Sequence, residues 1–184
     1  MGLFSFFSKK ETAPQLKVKD VIWMHNEGKK QGCIRLLLQQ PNTALVAWFP
    51  ETQQLWQVFL QQRQLPQTVL LARGLNTLQL AGKQVMMLEH YPLAEKETTF
   101  FQSLNQPEVV VLSAMDEPLF TAFGGDRIIA MMQKLEMKED EAIEHSMITK
   151  SLKNAQSKLE EKLKGGIEQT ATSMQDWFSK NIGD

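Results

Sequence analysis

A doubly wound α/β domain, with a mainly parallel sheet of about five strands, is the fold class that this chain predicts. Two observations carry the expectation. Short continuous apolar runs recur along the chain, as strands buried on both faces require, and the segments between them place apolar residues at helical spacing. Strands that alternate with helices through short connections pair in parallel, because each parallel neighbour needs a crossover.

In chain order, Val18 to Met24 reads as a strand leading into a helix over about 27–40, whose Ile34, Leu37 and Leu38 share a face. Ala44 to Phe49 is an unbroken apolar run. Pro50-Glu51-Thr52 then opens a helix with Leu55, Trp56, Phe59 and Leu60 in one stripe, while Gln53, Gln54, Gln57 and Gln61 form its solvated side. Thr68 to Ala72 and Gln84 to Leu88 read as two further strands, parted by Arg73-Gly74-Leu75-Asn76 and Ala81-Gly82-Lys83. A turn at His90-Tyr91-Pro92, a helix over Ala94 to Leu104 and a fifth strand at Val109 to Leu112 complete the alternation.

From Asp116 the period changes. Asp116 suits an N-cap with Pro118 in the first turn, Gly124-Gly125 stops that helix, and Asp126 suits the cap of the next, which carries Ile128, Ile129, Met132 and Leu135. A helical tail follows, with Ile148, Leu152, Ala155, Leu159 and Leu163 at spacings of three and four. Gly165-Gly166 predicts a hinge, since glycine costs about 1 kcal/mol per residue inside a helix. Beyond it Ile167, Ala171, Met174, Trp177 and Phe178 resume the apolar seam against Glu168, Gln175, Asp176 and Lys180. The expected organisation is an apolar tail at 1–16, an α/β domain at 17–135 and a helical extension at 136–184.

Composition narrows the function. A chain of 184 residues holds one sizeable core and is short for two domains of about 100–150 residues. Net charge is −1, and four of the twenty basic residues are arginine, so there is no broad field for nucleic acid. Cys33 is the single cysteine, which excludes an intrachain disulfide and a thiolate-rich metal site. No apolar run reaches the ~20 residues of a membrane-spanning helix. The first ten residues, MGLFSFFSKK, are too short for a secretory signal and lack Ser or Thr at position 6 for myristoylation. Leu3, Phe4, Phe6 and Phe7 are instead a candidate peripheral membrane contact, set against docking on the protein's own body or disorder.

The stretch from Asp116 to Lys150, DEPLFTAFGGDRIIAMMQKLEMKEDEAIEHSMITK, resembles the end of the second, RecA-like motor domain of the SecA preprotein translocase ATPases. There an acidic-acidic-leucine-phenylalanine-glycine run precedes an arginine-containing helix and an "IEH, then T-K" sequence. Weaker likenesses precede it: Asp20-Val21-Ile22-Trp23 with Lys29 and Lys30, Ala44-Leu45-Val46-Ala47 with Thr52, and Gln64-Leu65-Pro66-Gln67-Thr68-Val69-Leu70. The resemblance spans about residues 18–163 and implies a three-layer RecA-like domain of the P-loop NTPase fold.

The family's phosphate chemistry does not carry over. A glycine-rich loop of the form G-x-x-x-x-G-K-[ST] cradles phosphates with its backbone N–H groups and binds magnesium through its hydroxyl. Ala81-Gly82-Lys83-Gln84 lacks both the earlier glycine and the hydroxyl, and reads as a surface turn. Where the family has arginine-rich "ERHESRR" and "GRxGR" segments that neutralise the transferred phosphoryl group, this chain has Leu88-Glu89-His90-Tyr91-Pro92-Leu93-Ala94-Glu95-Lys96. His90 and His145, each beside a glutamate, suit structural hydrogen bonding better than catalysis, because no positioned nucleophile accompanies them. Glu139-Asp140-Glu141 reads as a solvated loop, Asp116-Glu117 as a capping pair rather than a magnesium pair, and Arg127 as a pin between helices.

No catalytic, cofactor-binding or metal-ligating residue is therefore expected, and no cofactor. The leading expectation is a non-catalytic SecA-like module that binds a protein, the translocase machinery being the implied partner, in the cytoplasm or at the inner face of the membrane. Ile167, Met174, Trp177 and Phe178 are the candidate contact surface, which would fold back on the sheet, meet a partner helix, or join two copies of the chain. Two alternatives stand beside it: a half-motor that completes another chain's ATP site through Arg73 or Arg127, and a peripheral membrane protein.

Overall fold

The computed structural model describes residues 16–144, 146–163 and 166–183. Five strands form one wholly parallel sheet: β1 (Lys17–Trp23), β2 (Thr43–Ala47), β3 (Val69–Leu71), β4 (Gln84–Met87) and β5 (Glu108–Ala114), in the spatial order β1-β5-β4-β2-β3. The expected alternation is present. Helix α1 (Asn26–Gln39) follows β1, α2 (Pro50–Gln62) follows β2 and α3 (Ala94–Ser103) follows β4. A 3-10 helix at Thr77–Leu80, which the periodicity did not predict, links β3 to β4; Asn76 opens it, its side chain accepting from Leu78 N while Gln79 bonds back to Asn76 N.

The crossovers divide by direction. Right-handed connections put α1 and α2 on one face, where Trp23, Cys33, Leu37, Leu45, Trp56 and Leu60 pack together. On the other face Phe101 of α3 packs with Val46, Leu80, Val85 and Val109. β2 is buried at every residue, as a central parallel strand should be. Trp48 and Phe49, read above as part of that strand, have already turned out of the sheet and lead into α2.

A third apolar cluster caps the carboxyl ends of the strands. It joins Ile22, Met24, Phe49 and Met115 to four later helices: α4 (Pro118–Thr121), α5 (Gly125–Lys134), α6 (Ser146–Leu163) and α7 (Met174–Asn181). Residues beyond 135 thus share a core with the sheet. Residues 136–144 are not helical; Ile143 exchanges backbone bonds with Ile22, N to O at 2.7 and 3.2 Å, along the free side of β1.

Three local expectations are corrected. Asp116 does not cap the helix that follows it. Its carboxylate accepts the Asn26 backbone N–H at 3.0 Å and the Asn26 side-chain amide at 2.9 Å, so it serves the start of α1 instead. Asp126 lies in the first turn of α5 rather than at its cap, which is Gly124 with φ 92°, a conformation that favours glycine. The apolar seam does not resume as helix after Gly166. Gln169 N bonds Asn181 Oδ1 at 2.7 Å and Thr172 O accepts from Glu51 N at 3.0 Å. With those groups satisfied from outside, helix starts only at Met174, where Ser173 Oγ accepts from Asp176 N at 3.1 Å.

Candidate functional site

In an open parallel sheet, ligands bind beyond the carboxyl ends of two neighbouring strands whose connections leave in opposite directions. Here those strands are β2, which leads to β3, and β4, which leads back to β5. The crevice is filled from within. The Glu89 carboxylate, just past β4, accepts the backbone N–H groups of Trp48 at 3.0 Å and Phe49 at 3.1 Å, and the Thr52 hydroxyl at 2.7 Å. These donors form the N-terminus of α2, the position where such folds hold an anion. Burial pushes the Glu89 carboxyl up to about 7, against the pull of Thr52 and Lys29.

Next to it lies a second buried charge pair. Lys29, 1 % exposed, donates from Nζ to Glu117 and to the Leu88 carbonyl. Its Nζ also sits 5.7 Å from the Trp56 ring centroid. Burial raises the Glu117 carboxyl, with Lys29 opposing. Above this floor opens a cleft of about 510 Å³, walled by Leu55, Trp56, Val58 and Phe59 of α2 and lined also by Met174. An apolar cleft with a few buried polar groups at this edge of the sheet is the most site-like feature of the molecule. The Cys33 thiol is buried and pushed up to about 12, which leaves it inert as a nucleophile.

A separate polar network pins α6 to the sheet. His90 Nδ1 lies 2.9 Å from Glu97 Oε1 and His90 Nε2 lies 3.5 Å from Asp20 Oδ1. Gln156 of α6 donates to Glu97 Oε2 at 2.9 Å and to the Tyr91 carbonyl at 2.7 Å, while the Thr149 hydroxyl donates to Asp20 at 2.5 Å. Burial alone would discharge the imidazole; the carboxylates of Glu97 and Asp20 outweigh it and hold His90 up to about 10. The Asp20 carboxyl is lowered although burial works against it, through His90, Thr149 and Lys153. Glu89 and His90 are neighbours in sequence, yet they serve different networks.

The structure disperses the residues singled out by sequence. Arg73 follows β3 at one edge of the sheet and Arg127 lies on α5, over the carboxyl ends of the strands; both are exposed and in no ion pair among the described residues. Met174 and Trp177 are 7 % and 1 % exposed within the core, and Phe178 packs beside them, whereas Ile167 is 94 % exposed. Glu139 and Asp140 tie their loop to α1 through His25 at 2.8 Å and Arg35 at 3.0 Å. Asp116 and Glu117 diverge, toward Asn26 and Lys29, and among the described residues no three carboxylate, imidazole or thiol groups converge as metal ligands. No described helix is long and apolar enough to cross a membrane. Leu3, Phe4, Phe6, Phe7 and His145 lie outside the described residues. The internal anion mimicry of Glu89 and the buried Lys29 were missed; the donors to Glu89 lie about forty positions away in sequence and the acceptors of Lys29 about sixty and ninety, beyond any local pattern.

No protein-family model matches the chain. A stretch of 47 residues, 26 % of the chain, is 57 % identical to the protein translocase subunit SecA of Acidithiobacillus ferrooxidans. Matches of the same length at 49 % identity join it to the SecA subunits of Acinetobacter baumannii and Psychrobacter cryohalolentis. The chain carries a SecA-related region. That stretch corresponds to 5 % of each of these SecA proteins. The SecA-related region belongs to a chain whose sheet is parallel throughout and flanked by helices.

Proposed function

We propose that this chain is a non-catalytic, SecA-related interaction module of RecA-like ancestry that serves protein translocation by binding a protein of the export machinery. One observation carries the reading: the anion-binding start of α2, at the switch point of the sheet, is occupied by the chain's own Glu89 carboxylate. A phosphate there would meet a carboxylate already holding the available donors, and the sequence has no glycine-rich phosphate loop to offer elsewhere. The SecA-related stretch supports export as the process served. This reading implies a cytoplasmic location with access to the translocase.

The test uses purified full-length chain and purified translocase ATPase of the same cell. Binding is read by calorimetry, and nucleotide binding to the chain alone by a fluorescent ATP analogue. Association with the ATPase, with no saturable nucleotide binding to the chain, is the expected result. Saturable ATP binding would overturn the non-catalytic reading, and failure to bind either the ATPase or its channel would overturn the link to export. The exposed Arg73 and Arg127, in no ion pair among the described residues, favour the half-motor as second reading. In that case the chain stimulates the partner's ATPase and Arg73→Ala or Arg127→Ala abolishes the stimulation.

A further inference from the structure

An apolar groove of about 240 Å³ runs between α6 and the α4–α5 pair. Ile148, Ser151, Ala155 and Lys158 of α6 recur along it at spacings of three and four, which places them on one helical face. Phe120, Phe123 and Ile128 line it from α4 and α5, and Phe123 is 38 % exposed. From Ile148 to Lys158 the groove measures about 15 Å, at 1.5 Å per helical residue. Lys158, at one end, is the one charged residue among those described that lines it.

The other end lies close to where the described residues begin. The Thr149 hydroxyl donates to Asp20 of β1 at 2.5 Å, and Asp20 stands four positions after Leu16, the first residue described. Four strand residues span about 13 Å. Residues 1–15 join the chain there, and they carry Leu3, Phe4, Phe6 and Phe7, apolar side chains within five positions, followed by Lys9 and Lys10. The stretch from Phe7 to Leu16 can reach about 30 Å, and residues 3–7 can extend over about 16 Å.

We infer that the groove seats the chain's own residues 3–7, laid along α6 with Phe7 toward Ile148 and Leu3 toward Lys158. The extended length of the segment matches the groove, and the tether covers the distance with slack and makes the encounter intramolecular. Both surfaces are apolar, so docking takes each out of water. Lys9 and Lys10 then fall at the Ile148 end, where no described charged residue lines the groove. Seated there, Phe4 and Phe6 are withheld from a lipid surface, which makes the groove an internal competitor of any membrane contact by the same residues. The inference needs only this chain and is independent of the export reading.

Disulfide trapping in the full chain tests it, with Ser5→Cys in the segment and Ser151→Cys in the groove, since the bond forms only where Cα atoms come within about 7 Å. Cys33 is buried and does not compete. A bond within one chain is expected, forming about tenfold or more faster than for Ser5→Cys with Gln54→Cys, an exposed position on α2 that does not line the groove. Phe4→Asp together with Phe6→Asp should lower the Ser5/Ser151 pair to that control rate, and circular dichroism checks that the domain stays folded. Equal rates for the two pairs, or a rate unmoved by the two aspartates, would overturn the inference. A bond that links two chains would do so too, giving the groove to a second copy, as would a control rate with co-sedimentation on phosphatidylglycerol vesicles, giving the segment to lipid.

Discussion

The Glu89 carboxylate accepts the Phe49 backbone N–H at 3.1 Å, closing the start of α2 with a side chain from forty residues later in the sequence. The arrangement has a cost that depends on pH. Burial holds Glu89 up to about 7 against an ordinary 4.5, so between those values the folded state binds more protons than the unfolded one, and stability falls as pH rises. The full shift corresponds to about 3 kcal/mol. Glu89→Gln keeps an acceptor for Trp48 and Phe49 and carries no charge. It is expected to reduce the decline in urea-unfolding free energy between pH 4.5 and 6.5, leaving the contribution of Glu117, whose carboxyl is raised too. A slope unchanged from the parent would show that Glu89 does not titrate at this site.

His90 runs the other way. Its folded value, raised from 6.5 to about 10 by Glu97 and Asp20, gives stability that is complete below 6.5 and is lost as pH climbs through about 10. His90→Gln leaves two buried carboxylates facing each other without a cation, and a loss of about 3–5 kcal/mol is expected at pH 7. The penalty should shrink by pH 10, where the parent has lost about half of the same charge. Unfolding free energies of both proteins at the two pH values check this, and an equal difference at each would remove His90 as the source.

The start of α1 is held by two residues from the other end of the chain. Asp116 takes both N–H groups of Asn26, and Gly28 lies against the Glu139 carbonyl so closely that a Cβ would overlap it. Asp116→Ala should cost about 1–2 kcal/mol, as for loss of an N-cap. Gly28→Ala sets a gain of about 1 kcal/mol in helix propensity against a backbone clash, and a net loss of about 1–3 kcal/mol is expected. Chemical unfolding of the two single variants measures both. A stabilised Gly28→Ala would mean that the 139–141 loop does not rest on α1 in solution.

Local signals and long-range partners differ in what sequence can convey. The strands were readable because burial on both faces leaves continuous apolar runs such as Thr43–Ala47, and α2 because Pro50 and the Leu55–Leu60 stripe mark its start and its inner face. The order of strands was not, since a short apolar run does not name its neighbours and only packing decides which lie side by side. The same limit explains Asp116, a sound N-cap candidate whose true client begins ninety residues earlier. It explains the candidate site as well: Lys29 and Glu89 are unremarkable charged residues until the ends of β4 and β5 bring them under α2. Apolar spacing in 166–173 suggested helix because Ile167 and Ala171 stand four apart, yet only Ala171 packs on the core while Ile167 is exposed.

The tail gives the last prediction. Trp177 is 1 % exposed, donates from Nε1 to Glu168 at 2.7 Å and meets Phe178 edge-on at 5.4 Å, while Glu168 also takes the Tyr91 hydroxyl and Lys96. Trp177→Ala should therefore cost about 3–5 kcal/mol, a fall of about 10 °C in melting temperature for a chain of this size. Trp177→Phe, which loses the hydrogen bond but keeps most of the apolar contact, should cost about 1–2 kcal/mol. If both variants melt with the parent, α7 does not pack on the sheet in solution, and Met174 and Trp177 become available to a partner protein. If the graded losses are found, the tail belongs to the domain's own core, and of the four candidate contact residues only Ile167 stays widely exposed to another chain.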